Sequence, residues 1–81
     1  SGASAQLGQQ LVISNLSNGL DLYTLPTMQL ERTFTHTVAV NLILQVAIIP
    51  QRRWVIVGGD DGFIRIFNLD SGNFLFSLVH D

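Results

Sequence analysis

The sequence predicts an all-β fold, and three observations carry it. Residues 54–79 read as three short apolar runs joined by two tight turns, WVIVGGDDGFIRIFNLDSGNFLFSLV. The turns hold Asp61-Gly62 and Ser71-Gly72, pairs that favour hairpins because Gly and Asn accept positive φ at low cost. Val, Ile, Thr and aromatic residues fill the runs, Gly, Pro, Asn and Asp punctuate them at short intervals, and no stretch reads as a helix. The third observation is that the same strand and turn pattern occurs earlier in the chain.

Taken in order, residues 1–10 are small and polar. Residues 11–14 form a short strand, and Asn15-Leu16-Ser17-Asn18-Gly19 is a turn. Residues 20–25 alternate, with Leu20 and Leu22 inward and Asp21 outward, as in a half-buried strand. Pro26-Thr27 breaks it, and residues 30–35 make the next strand, with Glu31 and Arg32 at exposed positions. His36-Thr37 leads into the apolar run 38–49, and Pro50-Gln51-Arg52-Arg53 is a turn. Then follow Trp54 and the run 55–57, the strand 63–69, the turn Asp70-Ser71-Gly72-Asn73 and the strand 74–79.

Composition bounds the function. At 81 residues the chain holds one small domain. A hydrophobic content of 47% is enough for a core. Charged residues make up only 12%, against about 25% in a typical soluble domain, so apolar surface is expected to be covered by another copy or another segment. The formal net charge of -2 gives no reason to expect nucleic acid or an anionic membrane as partner. With no Cys there is neither a disulfide framework nor a thiolate metal site. Residues 38–49, interrupted by Asn41 and Gln45, are too short to span a bilayer as a helix, which needs roughly 20 residues. Residues 1–6 lack the basic and apolar regions of a signal peptide, so the expectation is an intracellular location without a membrane partner.

The repeat appears when Gly19 is set against Gly62, 43 positions on. Val12-Ile13 then falls on Val55-Ile56, and Asn18 on Asp61. Skipping one residue after the glycine raises the shift to 44, which brings Leu20 onto Ile64, Leu22 onto Ile66 and Tyr23 onto Phe67. Leu25 then meets Leu69, Leu30 meets Phe74, Phe34 meets Leu78, and His36 meets His80. The spacing is that of a propeller blade, roughly 40–45 residues.

The run Asp61-Gly62-Phe63-Ile64-Arg65-Ile66-Phe67-Asn68-Leu69, followed by Ser71-Gly72 and His80, resembles a WD40 repeat. The wording of residues 12–23 and 57–67 is similar to that of WD-repeat proteins from fungi. The resemblance covers nearly the whole chain from Leu11 and implies β-propeller blades of four antiparallel strands, a to d from the channel outward. Residues 1–37 would be the first blade and 38–81 the second. The first has strands b at 11–14, c at 20–25 and d at 30–35. Its innermost strand is expected to be weak or missing, because only residues 3–7 are available. The second has a at 41–49, b at 54–57, c at 63–69 and d at 74–79. An almost wholly apolar strand a fits a strand covered on both faces.

The family's buried polar network joins a Trp on strand c, a Ser or Thr on strand b, a His before strand a and an Asp in the b–c turn. In the second blade these places fall on Phe67, Val57, His36 and Asp61; in the first they fall on Tyr23, Ser14 and Asn18, with His80 as the His. In the second blade the His–Asp half can survive and the Trp–Ser half cannot. Trp54 opens strand b and is not the signature Trp. Apolar packing is expected to replace part of the network, which is nearly neutral when both partners change together.

His36 and His80 read as metal ligands or bases in one view and as blade-closing hydrogen-bond partners in the other; the match to the family's His favours the second. Asp60-Asp61-Gly62 lacks the spaced oxygen ligands of a Ca²⁺ loop. Gly58-Gly59 with Gly62 lacks the following helix of a phosphate loop. No Ser-His-Asp or paired-carboxylate set stands out, so no catalytic residue, metal or cofactor is expected. Arg52-Arg53 beside Trp54 reads as a solvated turn before it reads as a basic contact site, and Asn15-Leu16-Ser17 as a turn before a glycosylation acceptor.

The favoured reading is a non-catalytic protein-interaction scaffold. The alternatives are a propeller fragment without activity of its own and a small-ligand binder or enzyme using the channel. The expected contact surface is the end bearing the b–c and d–a connections, Asn15, Ser17, Asn18, His36, Thr37, Asp60 and Asp61, mildly acidic and suited to a basic or polar peptide. The expected core is Ile43, Val46, Ile48, Val55, Val57, Ile64, Ile66, Leu69 and Leu78. Bare outer faces, apolar at Leu22, Ile43, Ile64 and Ile66, predict self-association, three copies giving six blades or four giving eight, within the usual range of about four to eight. Four is preferred, because more blades need a smaller turn between bulky faces. In such a ring His80 of one copy would come near Asn18 and Ser14 of the next.

Overall fold

The computed structural model describes residues 3–15, 19–34 and 43–79. They form eight strands: β1 (Ser4–Leu7), β2 (Gln10–Ser14), β3 (Leu20–Thr24), β4 (Gln29–Phe34), β5 (Ile43–Ile49), β6 (Trp54–Gly59), β7 (Phe63–Asn68) and β8 (Phe74–Val79). β1 to β4 make one four-stranded sheet and β5 to β8 another, each ordered as in the sequence with antiparallel neighbours. No helix occurs among the described residues. Asn41, at the start of the expected strand 41–49, lies outside them.

β1 corrects the expectation of a weak or missing first strand. It pairs with β2 from Ser4↔Ile13 to Leu7↔Gln10. Ser4 and Ala5 have little intrinsic strand preference, but tertiary contacts outweigh it. Ala5 and Leu7 pack against the core, and the Ser14 hydroxyl accepts the Ala3 N–H at 2.9 Å.

The turns are built from side chains that mimic backbone partners. Asn68 Oδ1 accepts the N–H groups of Asp70 and Ser71, both at 2.9 Å. Gly72, at φ 76°, then donates its N–H to the Asn68 carbonyl at 2.9 Å. Asp61 accepts the Phe63 N–H at 3.2 Å across Gly62. Gly19, at φ 127°, admits no side chain, because a Cβ there would stand 2.5 Å from the Phe34 carbonyl oxygen.

The core lies between the two sheets. Val12, Leu20, Leu22 and Phe34 of the first meet Val46, Val55, Val57 and Phe67 of the second, with Leu69 beside them. Phe34 and Phe67 meet at a tilt of 38°, with ring centroids 6.0 Å apart. The radius of gyration of 11.7 Å matches the value of about 12 Å for a compact chain of this length, so the sheets pack as one unit.

Val46, Val55, Val57, Ile66 and Leu69 are buried as expected, while Ile48 and Ile64 are half-buried and the Ile43 side chain lies outside the described residues. Leu78 is a correction: it is 54% exposed, because β8 is an edge strand and the face to which Leu78 points is uncovered. Leu22 faces the second sheet, as the alternation of residues 20–25 reads it, and not a bare outer face. Leu20, read as inward from the alternation, is buried, and Phe34, Phe67 and Val12 are further core residues outside the expected list.

The pairing register of the last three strands of each sheet repeats every 44 residues, while the first strand is offset by 42, Ser4↔Ile13 answering to Val46↔Val57. Val12↔Leu22 recurs as Ile56↔Ile66, Ser14↔Leu20 as Gly58↔Ile64, and Leu20↔Phe34 as Ile64↔Leu78. The bulge between Leu22 and Tyr23 recurs between Ile66 and Phe67. Val12 therefore corresponds to Ile56 and not to Val55, and no residue is skipped between the second and third strands. Gly19 and Gly62 suggested the skip, but Gly19 directly precedes Leu20 whereas Gly62 stands one residue further from Ile64, within the equal spans closed by Ser14↔Leu20 and Gly58↔Ile64.

Candidate functional site

Alternation along each strand divides each sheet into an inner face, toward the other sheet, and an outer face. The turns that carry the expected contact residues are the β2–β3 and β6–β7 connections, which the register makes equivalent. Asn15 is anchored at the first. Its N–H donates to the Gly19 carbonyl at 2.7 Å, its Oδ1 accepts the Gly19 N–H at 3.2 Å, and its Nδ2 donates to Asp21 Oδ1 at 3.1 Å. Asp60 is exposed at the second. Asp61 is gripped by Arg65, whose two terminal nitrogens donate to its oxygens at 3.2 and 2.6 Å. These side chains are only 22% and 13% exposed, and the guanidinium holds the Asp61 carboxyl below its ordinary value. Ser17, Asn18, His36, Thr37 and His80 lie outside the described residues.

Of the expected polar network, Ser14 and Asp61 are described. The Ser14 hydroxyl serves β1 through Ala3, and Asp61 serves Arg65. Ser14 corresponds in register to Gly58, not to Val57.

The two arginines before β6 divide their roles. Arg52 lies over the Trp54 ring, 5.1 Å from its centroid, a cation–π contact at an exposed turn. Arg53 holds the sheets together. Its Nε and one terminal nitrogen donate to Asp70 at 2.7 and 2.8 Å, and the same terminal nitrogen reaches Gln10 of the first sheet at 2.8 Å. Asp70 is thereby shifted below its ordinary pKa. Sequence reading missed this clamp because Gln10 and Arg53 lie 43 positions apart and Arg53 adopts φ 53°, which no local motif signals.

A second polar centre stands on the outer face of the first sheet. Asp21 accepts from Thr33 at 2.8 Å, from Asn15 at 3.1 Å and from Tyr23 at 3.4 Å. The alternating pattern marked Asp21 only as outward-facing.

The outer face of the second sheet is of a different kind. Gln45, Ala47, Ile56, Gly58 and Ile64 line an open groove of about 250 Å³. Ile66, Phe76 and Leu78 continue that face toward the β8 edge through the pairs Ile56↔Ile66, Ile66↔Phe76 and Ile64↔Leu78. Trp54 meets Phe76 edge-on at 5.4 Å. No charged strand residue points to this face. Among the described residues no group of three or more His, Asp or Glu side chains is placed to hold a metal ion. No helix there is long and apolar enough to cross a membrane.

No protein-family model matches the chain, and no curated protein matches it either.

Proposed function

We infer that the chain is a non-catalytic module of WD40-like propeller type, with the two sheets as consecutive blades, acting as a scaffold for protein partners and completing its ring with further copies. The observation that carries this reading is the 44-residue register. It makes the inner face of the first sheet correspond to the outer face of the second, since Val12, Leu20 and Leu22 match Ile56, Ile64 and Ile66. A two-fold sandwich would match inner face with inner face. A single rotation that carries one sheet onto the next matches inner with outer, and that is the relation of neighbouring blades. Three or four copies would supply six or eight blades.

The equivalent β2–β3 and β6–β7 turns place Asn15, Asp60 and Asp61 at one end of both sheets, where loops are free to vary around a rigid frame. Asp60 is exposed at the second of these turns, where a basic or polar peptide would meet it. Capture of partners from the source lysate is the test. Asp60→Lys should abolish the specific hits while leaving the fold intact by circular dichroism. Hits retained on Asp60→Lys and lost on Arg52→Ala would move the contact surface to the β5–β6 turn.

A further inference from the structure

We propose that the outer face of the second sheet docks a second copy of this chain, head to tail, by taking the outer face of that copy's first sheet. The proposal rests on the blade reading and names its missing interface. Within one chain the inner faces are already joined, and the register states which residues stand in the same places at the next joint. Ile56, Ile64 and Ile66 take the places of Val12, Leu20 and Leu22. Leu11, Ile13 and Tyr23 take those of Val55, Val57 and Phe67. Most buried apolar residues of the first joint thus have an apolar counterpart at the second; Val46 does not, since Ser4 pairs with Ile13 as Val46 pairs with Val57.

Two further observations favour a copy of this chain over an unrelated partner. The first is a paired exchange of size. Gly72 lies against Phe34, and a Cβ on it would come within 3.2 Å of that ring. The corresponding places hold Met28 and Leu78, a larger residue opposite a smaller one. Met28 adopts φ 59°, close to the φ 76° of Gly72, so its backbone already has the required form. Met28 and Leu78 are both exposed in the single chain.

The second observation is charge. At the existing joint Arg65 is neutralised on its own sheet by Asp61. Its counterpart Asp21 is likewise satisfied on its own sheet, by Thr33, Asn15 and Tyr23. Asp21 would therefore enter the joint with its carboxylate hydrogen-bonded by neutral groups, and the strands of the receiving face carry no charged side chain, with Arg52 of the preceding turn over Trp54. Unlike faces meeting by repeated rotation close a ring or extend as a filament, and do not make a two-fold dimer.

Complementation separates these cases. Wild-type chain should assemble at micromolar concentration by native mass spectrometry. Ile13→Arg spoils the donor face and Ile64→Arg the acceptor face, so each variant alone should be monomeric. Mixed one to one, they should give a heterodimer and nothing larger, since each retains the face the other lacks. Met28→Arg with Leu78→Arg, at exposed positions that tolerate charge, should give the same result if the first pair folds poorly. A wild-type monomer overturns the proposal, as does a dimer lost on Ile64→Arg but kept on Ile13→Arg, which would be a symmetric contact. Partner capture that depends on Asp60 would survive either outcome, so failure here is distinguishable from failure of the scaffold reading.

Discussion

Phe34 is 1% exposed, meets Phe67 at a tilt and lies beside the place where Gly72 lacks a side chain. Truncation to Ala should cost about 3–5 kcal/mol in chemical denaturation, as loss of a buried aromatic does. Ile66, at 3% exposure, is buried by neighbours on its own sheet, and Ile66→Ala should cost roughly 2–5 kcal/mol. Leu78→Ala should shift the stability of the monomer by less than about 0.5 kcal/mol, because an exposed side chain loses little burial. An equal loss for Phe34→Ala and Leu78→Ala would mean that the faces are assigned wrongly. Gly19→Ala is predicted to destabilise by more than about 1 kcal/mol, since positive φ and a backbone oxygen in the way of Cβ act together. The buried status of Val55, Val57 and Leu69 was legible in the sequence, because β-branched and aliphatic runs between turn residues have few other uses. That of Phe34 was not. Its strand reads as polar, QLERTF, and its burial depends on contact with the second sheet, Phe67 among it.

At the scale of elements, β1 and β8 show opposite departures from local preference. β1 has weak strand residues and forms because β2 and the core hold it; β8 has strong ones and remains an exposed edge. The Ala3 amide should therefore lose hydrogen-exchange protection in Ser14→Ala, with a stability loss of about 0.5–1.5 kcal/mol, typical of one hydrogen bond. Unchanged protection would show that Ala5 and Leu7 alone anchor the strand. β8 presents Leu75, Phe76, Leu78 and Val79 as exposed apolar side chains. An apolar edge of this kind invites pairing with another chain.

For the whole molecule, the acid limit of stability follows from two ion pairs. Arg65 lowers the pKa of Asp61, and Arg53 lowers that of Asp70, from the ordinary value of 3.8. The unfolded chain then binds these protons at higher pH than the folded one. The stabilisation is complete above the ordinary carboxylate range and is lost as pH falls through the lowered folded values. Urea midpoints should therefore hold steady from pH 7 to about 5 and fall below about 4. Asp61→Asn with Asp70→Asn should flatten that acid slope, and an unchanged slope would assign the effect to other carboxylates. Because Arg53 also reaches Gln10, the acid transition should loosen the contact between the sheets as well as the turns.

The amino-acid sequence by itself determined that the chain is all-β, where its turns fall, and that it repeats at about 43 or 44 residues. These are local properties: turn chemistry, strand preference and the spacing of apolar runs. It left the register one residue uncertain between the glycine-marked turn and the strand before it. In a strand one residue exchanges the two faces, so that uncertainty hid which side of the second sheet is core and which is surface. Hydrogen bonding between strands decided the question. Val55 and Val57 turn inward, Ile56, Ile64 and Leu78 turn outward, and the apolar face without a cover is where the sequence expected part of the core.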